Sequence, residues 1–283
     1  MLSLCEYWAL RERPFEPVTD ARFYFQSRAH EEALARLGYL IDQETMYLGM
    51  LSGEIGCGKS LTRQIFSSRI DTSRHLAVQF ENSAFALDDH LRRLLKEVGW
   101  AEVAGPDAGS YDLYELTKAL LRQLSTLGRQ LVLIFDEAQE MSQETLSALK
   151  RLSNLNDEGL GRLTIILIGQ PELRPLVARQ PALDQRISLR FHLHPLDAAD
   201  TGAFIRHRLL SAGHSTGDLF DERAVSLLFE ASRGVAREIN RLAKLSLEQA
   251  RATGAMEIGG DHVRAVIEDL RRHQSMPVLG GVR

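Results

Sequence analysis

The sequence predicts a parallel α/β domain built around a phosphate loop, followed by a small all-α lid domain. Three observations carry this reading. Residues 53–60 run Gly53-Glu54-Ile55-Gly56-Cys57-Gly58-Lys59-Ser60, which satisfies the pattern G-x-x-x-x-G-K-[ST]. Short apolar runs alternate with amphipathic helical stretches as far as residue 196, as in a parallel sheet covered by helices. From residue 197 onward only helical patterns follow.

Residues 1–28 hold Tyr7, Trp8, Pro14, Phe15, Pro17, Phe23, Tyr24 and Phe25 and read as an N-terminal arm with little regular structure. The nucleotide-binding domain spans 29–196. It opens with a helix over 30–42, whose Ala33, Leu34, Leu37, Leu40 and Ile41 form one stripe. Residues 46–51 are an apolar run and predict the first strand. The phosphate loop and a helix with Leu61, Ile65 and Phe66 on one side come next. A strand is predicted over 76–80, a helix over 87–98, a loop over 101–110 and a helix over 111–127. Five consecutive apolar residues, 131–135, then run into Asp136 and Glu137, as expected of a strand covered on both faces. Ser142 caps a helix reaching 152, with Glu144 in its first turn. Strands over 163–168 and 187–193 complete the sheet. The lid domain, 197–273, carries helices over 197–212, 221–232, 236–252 and 261–273, and 274–283 reads as a flexible tail.

Composition narrows the function. The 283 residues are 44% hydrophobic and 25% charged, with a formal net charge of −4, so no global basic charge advertises a polyanionic partner. Two cysteines, Cys5 and Cys57, cannot form a disulfide framework and fit a reducing compartment. No apolar run reaches the roughly 18 residues of a membrane span, and the expected location is cytoplasmic. His192 and His194 alternate along one strand without a third ligand at a supporting spacing, so no histidine metal site is expected.

The motifs specify nucleotide chemistry. Between a strand and a helix, the loop's backbone N–H groups turn toward an anionic phosphate and the helix N-terminus adds partial positive charge. Gly53, Gly56 and Gly58 let the chain approach without a Cβ in the way. Lys59 then reaches the β- and γ-phosphates and Ser60 ligates Mg²⁺. A bare glycine turn is the plain alternative. At the end of a buried strand, Asp136 suits the Mg²⁺ shell and Glu137 suits activation of the attacking water. Two incidental acids at a solvated strand end are the competing reading.

The order of several short motifs resembles AAA+ ATPases, and among them the ExeA/GspA group. The resemblance spans almost the whole chain. It is carried by Arg13-Pro14-Phe15, by Ser27-Arg28-Ala29-His30-Glu31-Glu32-Ala33-Leu34, by the phosphate loop, and by Asp136-Glu137-Ala138-Gln139. Gly169-Gln170-Pro171-Glu172-Leu173, Gln185-Arg186-Ile187 and Arg233-Gly234-Val235-Ala236-Arg237-Glu238-Ile239-Asn240 follow in the same order. The resemblance implies ATP held by Gly53, Glu54, Ile55, Gly56, Cys57, Gly58, Lys59, Ser60 and Leu61, with Arg237 as a second sensor. It implies Gln170 as the first sensor, with a plain turn at the C-terminal end of a strand as the ordinary alternative. It also implies Arg186 as an arginine finger reaching a neighbouring subunit, with Arg179 and Arg190 as rivals and a surface salt bridge as the alternative. A finger would make hydrolysis depend on a homo-oligomer, ring or filament. Cys57 and Ser60 stand where the family usually has threonine, and Ala236 where it usually has proline.

The partner is less specified. Free-standing ATPases of this type are similar to those that assemble on duplex DNA and recruit a transposase, and no membrane span or cell-wall-binding part follows within these residues. Candidate DNA contacts are Arg92, Arg93 and Lys96 on one helix and Lys150 and Arg151 on another, with a solvated helix face as the alternative for each. The stretch from residue 201 is near neutral, twelve Lys/Arg against ten Asp/Glu, and offers no basic tail. The alternatives are an ATPase serving envelope secretion or pilus components through a membrane protein, and an ATP-toggled protein-binding switch.

Overall fold

The computed structural model describes residues 2–16, 20–43, 45–105 and 107–273. The tail expected at 274–283 lies outside them, as does Pro17 of the arm. The described chain divides into two compact units. One comprises Arg28–Glu54 and Lys59–Leu193; the other comprises Met1–Ser27, Ile55–Gly58 and His194–Arg283.

The first unit is built on five parallel strands: β1 (Leu48–Gly53), β2 (His75–Phe80), β3 (Gln130–Phe135), β4 (Leu163–Gly169) and β5 (Leu189–Leu193). Their order is β2-β3-β4-β1-β5. β3 and β4 are buried along their whole length, which is why their residues read as continuous apolar runs rather than alternating ones. The pleat still divides them. Leu131, Leu133, Phe135, Ile165, Leu167, Leu48 and Met50 face one core, with helices α4 (Leu87–Glu97), α6 (Ser110–Thr126) and α7 (Gln143–Ser153). On the other face lies α2 (Arg28–Asp42), whose Leu40 side chain packs against Gly49 of β1. Helix α3 (Lys59–Arg69) follows β1. Each fully buried Leu or Ile in these layers contributes about 1.5–3 kcal/mol, and this is what holds the strand ends in register.

That register positions the chemistry. β4 lies between β3 and β1, with Phe135 paired to Leu167 and Ser52 to Gly169. The carboxyl ends of three adjacent strands therefore carry Asp136, Gln170 and the phosphate loop side by side.

The predicted strands and long helices form within a few residues of their expected limits. Ser142 caps α7, its hydroxyl accepting the Thr145 N–H at 3.1 Å. The stretch expected as loop over 101–110 opens with one helical turn, α5 (Ala101–Ala104), ended by Gly105 at φ 63°. Two short helices follow β4, α8 (Leu173–Ala178) and α9 (Pro181–Asp184), each too brief for periodicity to reveal.

The second unit holds α10 (Ala198–Ser211), α11 (Glu222–Ser232), α12 (Ala236–Ala252) and α13 (Gly260–Arg272). Asp197 and Asp221 cap the first two of these. The arm packs in the same unit. Leu4, Trp8, Leu10, Phe15 and Phe23 are buried in one apolar cluster with Leu209, Leu242 and Leu247. Its first residues form helix α1 (Leu4–Tyr7), with Ser3 and Glu6 as a reciprocal capping box. Arg208 of α10 donates to the carbonyls of Pro14 and Glu16 at 2.6 Å each and lies over the Phe23 ring. Aromatics spaced among prolines carry no period, so the sequence shows the arm's apolar content without showing where it packs.

Candidate nucleotide site

The loop begins where β1 meets the edge strand. A Cβ at Gly53 would lie 2.7 Å from the Leu193 carbonyl oxygen, so only glycine permits this approach. Lys59, the first residue of α3, is 7% exposed, and its Nζ donates to the carbonyls of Gly53 at 2.7 Å and Glu54 at 3.0 Å. The ammonium is thus folded over the loop itself. Within the helical unit, Gly56 has φ 88° and its carbonyl accepts the Arg237 N–H at 3.2 Å. The Arg237 side chain is exposed, and Cys57 is buried and forms no disulfide among the described residues.

At the end of β3, Asp136 is 4% exposed. Its Oδ1 accepts the Glu137 N–H at 3.0 Å, and the Ser60 hydroxyl hydrogen-bonds to its carboxylate. The Nε of Arg63, on α3, lies 2.9 Å from its Oδ2. Burial pushes the Asp136 carboxyl above the usual carboxylate range, opposed mainly by the Arg63 guanidinium. Glu137 adopts left-handed backbone angles, φ 51° and ψ 38°, unfavourable for a residue with a Cβ. This turn aims its side chain at Gln139 and Gln170: Glu137 Oε2 accepts Gln139 Nε2 at 2.7 Å and Gln170 Nε2 at 3.3 Å. The Gln139 carbonyl oxygen accepts the Gln170 backbone N–H at 2.9 Å.

A hydroxyl and a carboxylate in contact form a hard-oxygen pair. That suits Mg²⁺, which takes few protein ligands and fills its shell with water and phosphate oxygens. No cluster of three or more His, Cys, Asp or Glu able to hold a metal occurs among the described residues. Ser60 and Asp136 therefore fit a metal brought with a nucleotide rather than one caged by protein.

The structure thus brings Lys59, Ser60, Asp136, Glu137 and Gln170 to the ends of neighbouring strands. The proposed arginine fingers lie elsewhere on the same unit. Arg186 pairs with Asp157 at 3.3 Å and Arg190 with Asp184 at 2.8 Å. Arg179 is exposed and makes no ion pair among the described residues. On α4, Arg92 pairs with Asp89 and donates to the Ala108 carbonyl, and Arg93 pairs with Glu97, so carboxylates interleave that basic face. Lys96, Lys150 and Arg151 make no ion pair among the described residues. The sequence alone did not reveal the contacts of Arg63 with Asp136 or of Gln139 with Glu137. Arg63 stands four residues after Lys59 and three after Ser60, on one helix face, and that spacing was the available signal.

The family described as AAA domain matches residues 42–177. General secretion pathway protein A of Aeromonas hydrophila is 32% identical over 256 residues, covering 89% of this chain and 46% of that protein. The chain thus spans about half the length of this curated relative. The ORC2 protein of Aeropyrum pernix, solved in ADPNP–ADP complexes, superposes with a TM-score of 0.65 at 17% identity, over 96% of this chain and 73% of that one. The Thermotoga maritima RuvB Holliday junction branch migration motor gives 0.56 at 18% identity, over 91% and 73%. ORC from Drosophila, solved bound to DNA, gives 0.64 at 17% identity, over 96% and 68%. At these identities the structures share the fold.

Proposed function

The chain belongs to the AAA+ ATPases, in the ExeA/GspA-like group, and on that premise we propose that it hydrolyses ATP with Mg²⁺ in a homo-oligomer assembled on duplex DNA. The observation that carries the hydrolytic part is Glu137 held by Gln139 and Gln170 beside Asp136, at strand ends adjoining the phosphate loop. Lys59 turns from the loop carbonyls to the β- and γ-phosphates. Ser60 and Asp136 would hold Mg²⁺, which would supply positive charge beside the phosphate oxygens. Glu137 accepts a proton from the attacking water while Gln170 orients that water. Arg237 acts as the second sensor of the phosphates.

Arg186 serves as the finger for a neighbouring copy, with Arg179 and Arg190 as rivals. Exposed pairs such as Arg186–Asp157 contribute only about 0–1 kcal/mol, so Arg186 can exchange Asp157 for a phosphate at little cost. On DNA, Lys96 of α4 and Lys150 and Arg151 of α7 are the better-supported contacts, because among the described residues they lack the carboxylate partners that Arg92 and Arg93 have. ORC from Drosophila, which shares this fold, was solved bound to DNA, and this supports the reading. Assembly on DNA would serve recruitment of a transposase, in a cytoplasmic protein. Among the described residues, no helix is long and apolar enough to cross a membrane.

A second reading is favoured by the 32% identity to General secretion pathway protein A: an ATPase serving envelope secretion components through a membrane protein. Retention of duplex DNA decides between them. The DNA reading expects ATP-dependent retention that weakens steeply with salt and is lost in Lys59→Ala. No retention at low salt with ATP present favours the secretion reading.

A further inference from the structure

We propose that Arg63 is the resident counter-ion of Asp136, a positioning residue that yields to Mg²⁺ by turning toward Glu81. The proposal rests on the reading of Asp136 as the magnesium carboxylate.

Three contacts fix the guanidinium. Nε lies 2.9 Å from Asp136 Oδ2, Nη1 donates to Gln79 Oε1, and Nη2 stands 3.7 Å from Glu81 Oε1. The Arg63 side chain is only 13% exposed and that of Asp136 only 5%, so the pair is withdrawn from water. Yet the Arg63 Nε–H makes no aligned hydrogen bond. Charge rather than direction holds this contact, and Oδ2 keeps lone pairs free of it.

A carboxylate this buried needs a positive charge nearby. Without metal, Arg63 supplies it. A divalent ion at Ser60 and Asp136 duplicates that role and repels the guanidinium across a poorly screened distance. The way out is already built. Glu81 lies on the Nη2 side with its side chain 77% exposed, so a small rotation trades the buried carboxylate for a solvated one. Gln79 holds the opposite side of the planar group and acts as the pivot. Mg²⁺ thus enters against a competitor, and the concentration at which it loads depends on Arg63 and Glu81 rather than on the ligands alone.

The test is a Mg²⁺ titration of fluorescent ATP-analogue binding on the full chain, with no turnover measured. Arg63→Gln removes the competitor and lowers the half-maximal Mg²⁺ concentration by about tenfold. Glu81→Ala, at an exposed position where folding is safe, removes the landing site and raises it by about two- to threefold. If Arg63→Gln fails to fold, the Glu81→Ala shift carries the test. Unchanged midpoints in the folded variants overturn the proposal, as does a rise in Arg63→Gln. Asp136→Asn is the control. If it abolishes Mg²⁺ dependence while the other two do nothing, only the counter-ion role fails. If it leaves the dependence intact, the assignment of Asp136 fails and the proposal with it.

Discussion

The side-chain amide of Gln139 donates to the Glu137 carboxylate at 2.7 Å while its carbonyl oxygen accepts the Gln170 backbone N–H at 2.9 Å. One glutamine therefore ties the proposed base, just past β3, to the proposed sensor, just past β4. The left-handed turn at Glu137 needs such a restraint, because nothing in its own backbone preference favours it.

Gln139→Ala removes that tie without touching the phosphate loop. The expected outcome is a kcat about tenfold lower with nucleotide affinity near wild type, since positioned proton transfer is lost and binding is not. Single-turnover phosphate release beside equilibrium binding of an ATP analogue separates the two. An unchanged kcat would remove Gln139 from the mechanism.

Arg208 anchors the arm to α10. Burial pulls its guanidinium down to about 10, and it satisfies two arm carbonyls. Arg208→Ala leaves those carbonyls without their charged donor and opens space beside Phe23, at a cost of about 2–4 kcal/mol. Denaturant unfolding measures this directly, and a loss within about 0.5 kcal/mol would place the arm's anchorage elsewhere.

His90 is packed among Phe80, Phe85 and Phe135. Burial lowers its pKa below the ordinary histidine value, so the folded state resists protonation that the unfolded chain accepts near pH 6.5. Stability is therefore full above about pH 6.5 and falls as the pH drops below it, by up to about 1.4 kcal/mol per pH unit for this one proton. His207 is shifted the same way by burial and adds its own slope. His90→Leu should make the unfolding free energy between pH 6.5 and 5 less pH-dependent. An identical slope in wild type and variant would contradict the assignment.

Much of this architecture was legible in the sequence, for physical reasons. A strand buried on both faces, such as β3, must be apolar throughout, and the phosphate loop must be glycine-rich where Leu193 and Arg237 approach it. Asp136, Glu137 and Gln170 were legible because they terminate such strands. Arg63 and Gln139 were not. Their roles depend on which strand lies beside which, and the order β2-β3-β4-β1-β5 is a property of packing rather than of local pattern. Where the arm packs was not legible for the same reason: Trp8 donates to the Leu247 carbonyl at 3.3 Å, far away in sequence.

On the proposed function, Glu137 activates water in a Mg²⁺-dependent ATPase. Phosphate release by wild type and Glu137→Gln, measured alongside ATP-analogue affinity, tests it most directly. The variant is expected to release phosphate at least about a hundredfold more slowly, with affinity within about threefold of wild type. Hydrolysis by Glu137→Gln at the wild-type rate would contradict it.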